Sequence, residues 1–415
     1  MKVSMPRGLF RSGSVRPVRT LVALVAVAGL VAGTAACKND ADNPAASASP
    51  SALPSGSAPP VDVLTEASNT VATLFKGTFR PPDPATRIAA KGKKIAIISR
   101  GQQSPSSQVP VDAAAEAAKA LGWESTILDL KFNALAAPDA VRQAVALGVD
   151  GIVSNIDCAY APNEFGEAKA KGIKIVPLFT FDCTDPTVAG KPGESQFTTF
   201  LNFQLGSTGE KVDATRYNSV GGVIAASAVI TATNGTAKVL AFTDATSTIL
   251  NYTHAGFISQ MKRCKGCQIL EEIRFTPPEL ADGSLRAKVR DALARHPEVT
   301  AIRGSHSAAI QLAIAPEVVA AKMQNKVIVI GGEGQEHDLD LIRTKQGLNM
   351  TLCTDSPWMG WAVVDALNSA FNGEKPRFPG LGAMLVDREH NLPPSGAVQH
   401  NVNFKSVYRK AWGVG

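Results

Sequence analysis

The sequence predicts an α/β protein of two similar three-layer lobes, each a doubly wound parallel sheet with helices on both faces. Three observations carry that expectation. Short, continuous apolar runs rich in Val and Ile alternate with amphipathic stretches, as strands buried between crossover helices do. The alternation breaks off and restarts near residue 196. Roughly ten strand-like runs are too many for one comfortable doubly wound sheet and fit an eight-fold barrel poorly. The 415 residues, 45% hydrophobic and 19% charged, suffice for two ordinary domains.

The elements follow in order. Residues 1–36 carry Lys2, Arg7, Arg11, Arg16 and Arg19 and no acid, ahead of the apolar run LVALVAVAGLVAG at 21–33. Thirteen helical residues reach about 20 Å against a hydrocarbon core of about 30 Å, so the run is a signal-peptide core and not a span. It ends in Thr34-Ala35-Ala36-Cys37, which resembles the bacterial lipobox, and Cys37 is expected to carry lipid. Residues 37–60 read as a disordered Ala/Ser/Pro tether, since 15 of the 17 residues from Pro44 to Pro60 are of those types. A helix near 61–75 and a Pro-rich turn at 80–84 form a lead-in over 61–91.

Strands are expected at 94–99, 123–130, 151–154 and 173–179, with helices at 111–121, 138–147 and 161–171 between them. The second series has strands at 196–203, 237–243, 268–275, 300–303, 326–330, 348–353 and 384–386. Its helices fall at 217–232, 252–262, 281–296, 307–323, 338–345 and 357–371. The formal charge of +6 comes almost wholly from the leader, because five of the 42 bases lie in residues 1–36 and leave 37 against 36 acids. A nucleic-acid surface needs concentrated Lys and Arg, and no such stripe is present.

The runs KIAIIS at 94, LGVDGIV at 147, KGIKIVP at 171, HPEVTAI at 296 and VIGGEG at 329, with YRKAWG at 408, resemble the type I periplasmic binding proteins of ABC importers. The sugar-binding branch, typified by ribose- and galactose-binding proteins, is the nearest in pattern. That resemblance implies two lobes joined by a hinge, with a ligand cleft between them. On this chain it places lobe one at 92–203 plus 355–378 and lobe two at 204–354 plus 379–415. It also implies hinge closure on a small polar ligand, a sugar or sugar-like molecule, an ABC permease as partner, and a monomer without cofactor, metal or catalytic residues.

Ligands of open parallel sheets bind outside the carboxyl ends of the strands, so the loops there supply the candidates. They are Gln102, Gln103, Asp157, Tyr160, Phe181, Asp182, Asn251, Tyr252, His306, Glu333, Asp355 and Trp358. Amide and carboxylate side chains bond hydroxyls bidentately, and aromatic rings stack on apolar sugar faces. Each has a plainer alternative: Asp157 and Asp182 as helix caps, Tyr160 and Trp358 as core, Gln102 and Gln103 as solvated loop tips, His306 as a loop residue. Compared with sugar-type relatives, Thr180-Phe181-Asp182 lacks the Arg after the fourth strand, and Asn251 stands where an Arg commonly enters from lobe two. These departures argue against a simple pentose or hexose.

Besides Cys37, the cysteines are Cys158, Cys183, Cys264, Cys267 and Cys353. Cys158 and Cys183 follow strands three and four, neighbours in this sheet order, at a spacing of about 4.8 Å that a disulfide accepts. Cys264-Lys-Gly-Cys267 follows a helix and has no further ligands nearby, which favours a local disulfide over zinc or redox chemistry. The leading expectation is therefore a lipid-anchored solute receptor on the extracytoplasmic face of a bacterial cell membrane. The alternatives are a ligand-sensing module for a membrane receptor or kinase, and an exported enzyme on the same fold.

Overall fold

The computed structural model describes residues 62–189, 193–205, 209–398 and 401–415. The leader, Cys37 and the tether lie outside the described residues. No helix among the described residues is long and apolar enough to cross a membrane.

Ten strands form two sheets. The first contains β1 (Lys94–Ser99), β2 (Glu124–Asp129), β3 (Gly151–Ser154) and β4 (Lys174–Pro177), ordered β2-β1-β3-β4 and parallel throughout. The second contains β5 (Lys238–Asp244), β6 (Gln268–Phe275), β7 (Ala301–Arg303), β8 (Ile328–Ile330), β9 (Met350–Cys353) and β10 (Met384–Asp387). Its order is β10-β9-β8-β7-β5-β6. Both sheets carry an apolar core on each face. In lobe one, Ile95 and Ile97 face helices Pro105–Ala120 and Ser356–Phe371, while Ala96 and Ile98 face helices Ala137–Ala146 and Pro162–Ala170. Continuous burial along β1 and β3 is the consequence.

Four differences from the sequence-based reading have local causes. Residues 196–203 form no ladder strand. The Ile175 carbonyl accepts the N–H of both Thr198 and Thr199, the Thr198 hydroxyl takes the Ile175 N–H, and Asp182 takes the N–H of Gln196 and Phe197. Those partners replace a strand's own. β10 pairs with β9 antiparallel, so the second sheet is mixed at its edge. The helix expected over 307–323 is interrupted by a π turn at Ile310–Ile314 and ends at Ala320. Pro316 follows that turn, and its missing N–H and its clash with the preceding turn make regular α spacing unfavourable there.

The fourth difference concerns the chain ends. Helix Phe404–Trp412, assigned above to lobe two, packs Phe404, Tyr408 and Trp412 into the lobe-one core. Helix Val63–Lys76 buries Ala67, Val71 and Leu74 in the lobe-two core beside Ile224 and Leu385. Residues 77–90 then run back to lobe one as a strap. Thr78 and Arg80 donate their N–H to Ala383 and Gly380, Asp83 to Phe378, and Arg87 and Ala89 to Ala411 and Trp412.

One helix crossing sets the wall of the cleft. Helices Ala214–Ala232 and Thr248–Arg263 approach so closely that a Cβ at Gly222 would lie 1.8 Å from the Thr253 carbonyl oxygen. A Cβ at Gly256 would lie 2.0 Å from that of Ser219. Only glycine permits this contact at either position.

Candidate functional site

The carboxyl ends of the two sheets face each other across a cavity of about 760 Å³. Lobe one supplies Arg100 after β1, Asn155 and Asp157 after β3, and Thr180 after β4. Lobe two supplies Asp244 at the end of β5, Arg303 at the end of β7 with Gly304 to His306 after it, and Glu333 after β8.

The lobes meet through side chains at the rim. Thr248 Oγ1 donates to Asp157 Oδ2 at 2.8 Å, and Arg100 Nη2 donates to Thr246 Oγ1 at 3.1 Å and lies 3.7 Å from Asp244 Oδ2. Ser106 Oγ donates to Glu333 Oε1 at 3.3 Å, and the Tyr252 hydroxyl to Asp185 Oδ2 at 2.8 Å. These contacts join the two lobes across the cleft.

Burial governs the chemistry of the lobe-two wall. His306 Nδ1 accepts the Ala309 N–H at 3.3 Å, and burial pushes its pKa down to about 4. The ring is therefore neutral at pH 7, and the remaining tautomer puts the proton on Nε2. Ser305 Oγ, also lining the cavity, is buried without a partner among the described residues. Glu333 Oε2 accepts from the Ser307 N–H at 2.8 Å and from the Ser307 hydroxyl. Burial first, and Asp338 second, push Glu333 up to about 7, so it titrates near neutrality. Asp338 sits against Gly332, whose φ of +78° and missing Cβ, which would fall 2.6 Å from Asp338 Oδ2, allow the loop to close over the acid pair.

Five of the twelve candidates line this cavity: Gln103, Asp157, Tyr160, His306 and Glu333. Asp157 is no helix cap by its side chain; its Oδ1 accepts the Phe181 N–H at 2.9 Å. The others stand elsewhere. Asp182 is buried and pins a loop through Cys183, Ser195, Gln196 and Phe197. Trp358 is fully buried between Phe79 and Phe404, with its indole N–H on the Pro379 carbonyl at 2.8 Å. Asp355 accepts the Trp358 N–H as a helix N-cap. Phe181 packs on Tyr252 at 5.1 Å behind the rim, Asn251 donates to the Ala245 carbonyl, and Gln102 gives its N–H to Asp129.

Sequence reasoning passed over Arg100, Asp244 and Arg303. Arg303 closes the strand Ala301–Arg303 and is buried, holding the Phe242 carbonyl and Thr253 Oγ1. Burial lowers its guanidinium to about 10. The signal was a lone charge ending an otherwise apolar run. The Cys158–Cys183 disulfide ties the two lobe-one loops that carry Asp157 and Asp182, while Cys264 and Cys267 are joined locally after helix Thr248–Arg263. Cys353 is free and buried.

Two lobes built on largely parallel sheets, with a cavity between their facing strand ends, define a bilobed binding protein. The chain belongs to the periplasmic binding protein domain family, whose model matches residues 95–375. It is similar in fold to a sugar ABC transporter protein from Yersinia enterocolitica, with a TM-score of 0.61 and 18% identity over 79% of this chain and 96% of that one. An ABC transporter solute-binding protein from Mycobacterium smegmatis with bound glycerol gives 0.60 and 18%, over 74% and 100%. One from Burkholderia graminis in complex with D-arabinose gives 0.58 and 19%, over 72% and 96%. No curated protein matches the chain.

Proposed function

We propose that this chain is a lipid-anchored, extracytoplasmic solute-binding protein that captures a sugar or sugar-like ligand by hinge closure and delivers it to an ABC importer. The observation that carries the reading is the interlobe cavity with Asp157 on one wall and His306 and Glu333 on the other. Hydroxyl-rich ligands need both acceptors and donors there, and the two walls supply them. The sugar complexes among the structural relatives support the ligand class, and the thirteen-residue apolar run at 21–33, followed by Thr34-Ala35-Ala36-Cys37, supports the anchor.

Native mass spectrometry of protein purified without refolding tests the ligand class, because a retained ligand is weighed directly. A ligand at 100 times its dissociation constant should also stabilise the fold by about 2.7 kcal/mol. A panel of pentoses, hexoses and their derivatives that gives neither a bound mass nor a melting shift overturns the reading. For the anchor, Cys37→Ala should release protein to the medium or leave an unprocessed precursor. Unchanged partitioning into detergent would remove it.

A further inference from the structure

The cavity has room for more than a monosaccharide. Even if each of a hexose's twelve heavy atoms is granted a full water's share of about 30 Å³, a hexose fills roughly half of the 760 Å³. Part of the wall around the remaining space is apolar. On the hinge side the wall is Val220, Ile224, Leu352, Met359, Ala383 and Leu74, contributed by helix Ala214–Ala232, β9, helix Ser356–Phe371, the return crossing before β10 and the N-terminal helix.

Helix Ala214–Ala232 presents Tyr217, Val220, Gly221 and Ile224 to this chamber, at the i, i+3, i+4, i+7 spacing of one helix face. Gly221 is the informative member. Glycine is disfavoured in a helix interior, yet a Cβ at Gly221 would meet only Leu352 and Thr253, each at an ordinary 3.9 Å. The crossing with the neighbouring helix requires Gly222, not Gly221. No packing contact excludes a side chain at Gly221, so the fold itself does not require glycine there.

Tyr217 adds a polar handle. Its ring stacks on Phe203 at 4.5 Å, and its hydroxyl has no partner among the described residues. The Thr78 and Thr253 hydroxyls donate to the carbonyls of Ala383 and Leu250, and Asn218 gives one amide N–H to the Ala214 carbonyl.

We propose that the ligand is a sugar joined to an apolar group, with the sugar among the strand-end loops, the apolar group in the hinge-side chamber, and the Tyr217 hydroxyl bonded to one polar atom of that group. This rests on the sugar-binding reading above and narrows it to glycosides and nucleosides. Titration calorimetry with matched pairs tests it: D-ribose against adenosine, and D-glucose and D-galactose against their 4-hydroxyphenyl glycosides. At least one derivative should bind wild-type protein tenfold or more tighter than its free sugar. Gly221→Leu, and Leu352→Phe from the opposite wall, should bring that ratio to about one, and Tyr217→Phe should lower it about three- to tenfold.

Equal binding of sugar and derivative by wild-type protein overturns the inference and leaves the sugar-binding reading standing. So does a derivative advantage that survives in both chamber-filling variants, each checked for an intact ligand-free melt. Binding of neither member of any pair overturns the sugar-binding reading itself, and this inference with it.

Discussion

The two lobes build their halves of the cleft by opposite means. Lobe one fixes its polar groups: Asp182 is saturated by loop N–H groups and Ser195, Asp157 holds the Phe181 N–H, and the Cys158–Cys183 disulfide joins both loops. Lobe two leaves Ser305 Oγ buried without a partner among the described residues and lines the cavity with the His306 imidazole, beside a Glu333 whose ionisation is contested by Asp338. One wall is a preformed frame, and the other carries the chemistry that a ligand or a proton changes. Mutations in the first should therefore cost stability, and mutations in the second should cost affinity.

The largest expected effect falls on the frame. Trp358→Ala empties a fully buried indole site and should destabilise the protein by about 3–5 kcal/mol, read by thermal or urea melts. A loss below 1 kcal/mol would mean the site is not core. Next come the disulfides. Replacing Cys158 and Cys183 by Ala, at a sequence separation of 25, should cost about 3 kcal/mol, against roughly half that for the short Cys264–Cys267 loop. The first pair should also weaken ligand binding, and the second should not; the reverse order would break the contrast.

Affinity is the next scale. His306→Ala removes a donor from the cavity and should weaken binding about ten- to hundredfold, equivalent to about 1–3 kcal/mol. Asn251→Ala, away from the cavity, should leave titration curves unchanged. Glu333→Ala should lower both affinity and the ligand-free melt, because Glu333 holds Ser307 and Ser106.

The smallest effect is a pH dependence in which two lobe-two groups oppose each other. Glu333 is raised from 4.5 to about 7, so its stabilisation is full below pH 4.5 and is lost as pH rises towards 7. His306 is lowered from 6.5 to about 4, so its buried neutral form becomes stabilising as pH rises from 4 to 6.5. The two slopes largely cancel between pH 4.5 and 6.5. Glu333→Gln should uncover the His306 slope, with a melting temperature that climbs across that window; a flat profile in the variant would refute the pairing.

What the sequence made legible was the part governed by local rules. Continuous apolar runs at β1, β3, β7 and β8 and the strand-end rule led to Gln103, Asp157, Tyr160, His306 and Glu333, all of which line the cavity. Trp358 was misplaced because its burial depends on Phe79 and on Phe404, remote in sequence. Asp182 has the look of a cleft acid, and only the folding back of residues 195–197 reveals its use. Arg303 was missed because strand periodicity treats a terminal charge as the end of the strand, whereas here the guanidinium is buried on the Phe242 carbonyl. The hinge-side chamber is assembled from five separate segments, a coincidence in space that no single window of sequence encodes.

The strap of residues 77–90 separates two boundaries that are easily treated as one. Homology begins at 95, but a chain started there would lack helix Val63–Lys76 and bare Ile224 and Leu385 of the lobe-two core. It would also strip the carbonyls of Ala411, Trp412, Gly380 and Ala383 of their partners, and leave Arg377 without the Asp83 and Ala85 carbonyls. Excised at the homology boundary, both lobes would therefore show raw apolar and unpaired surface and tend to aggregate. Recombinant or fusion designs that begin at or before the helix Val63–Lys76 keep these contacts.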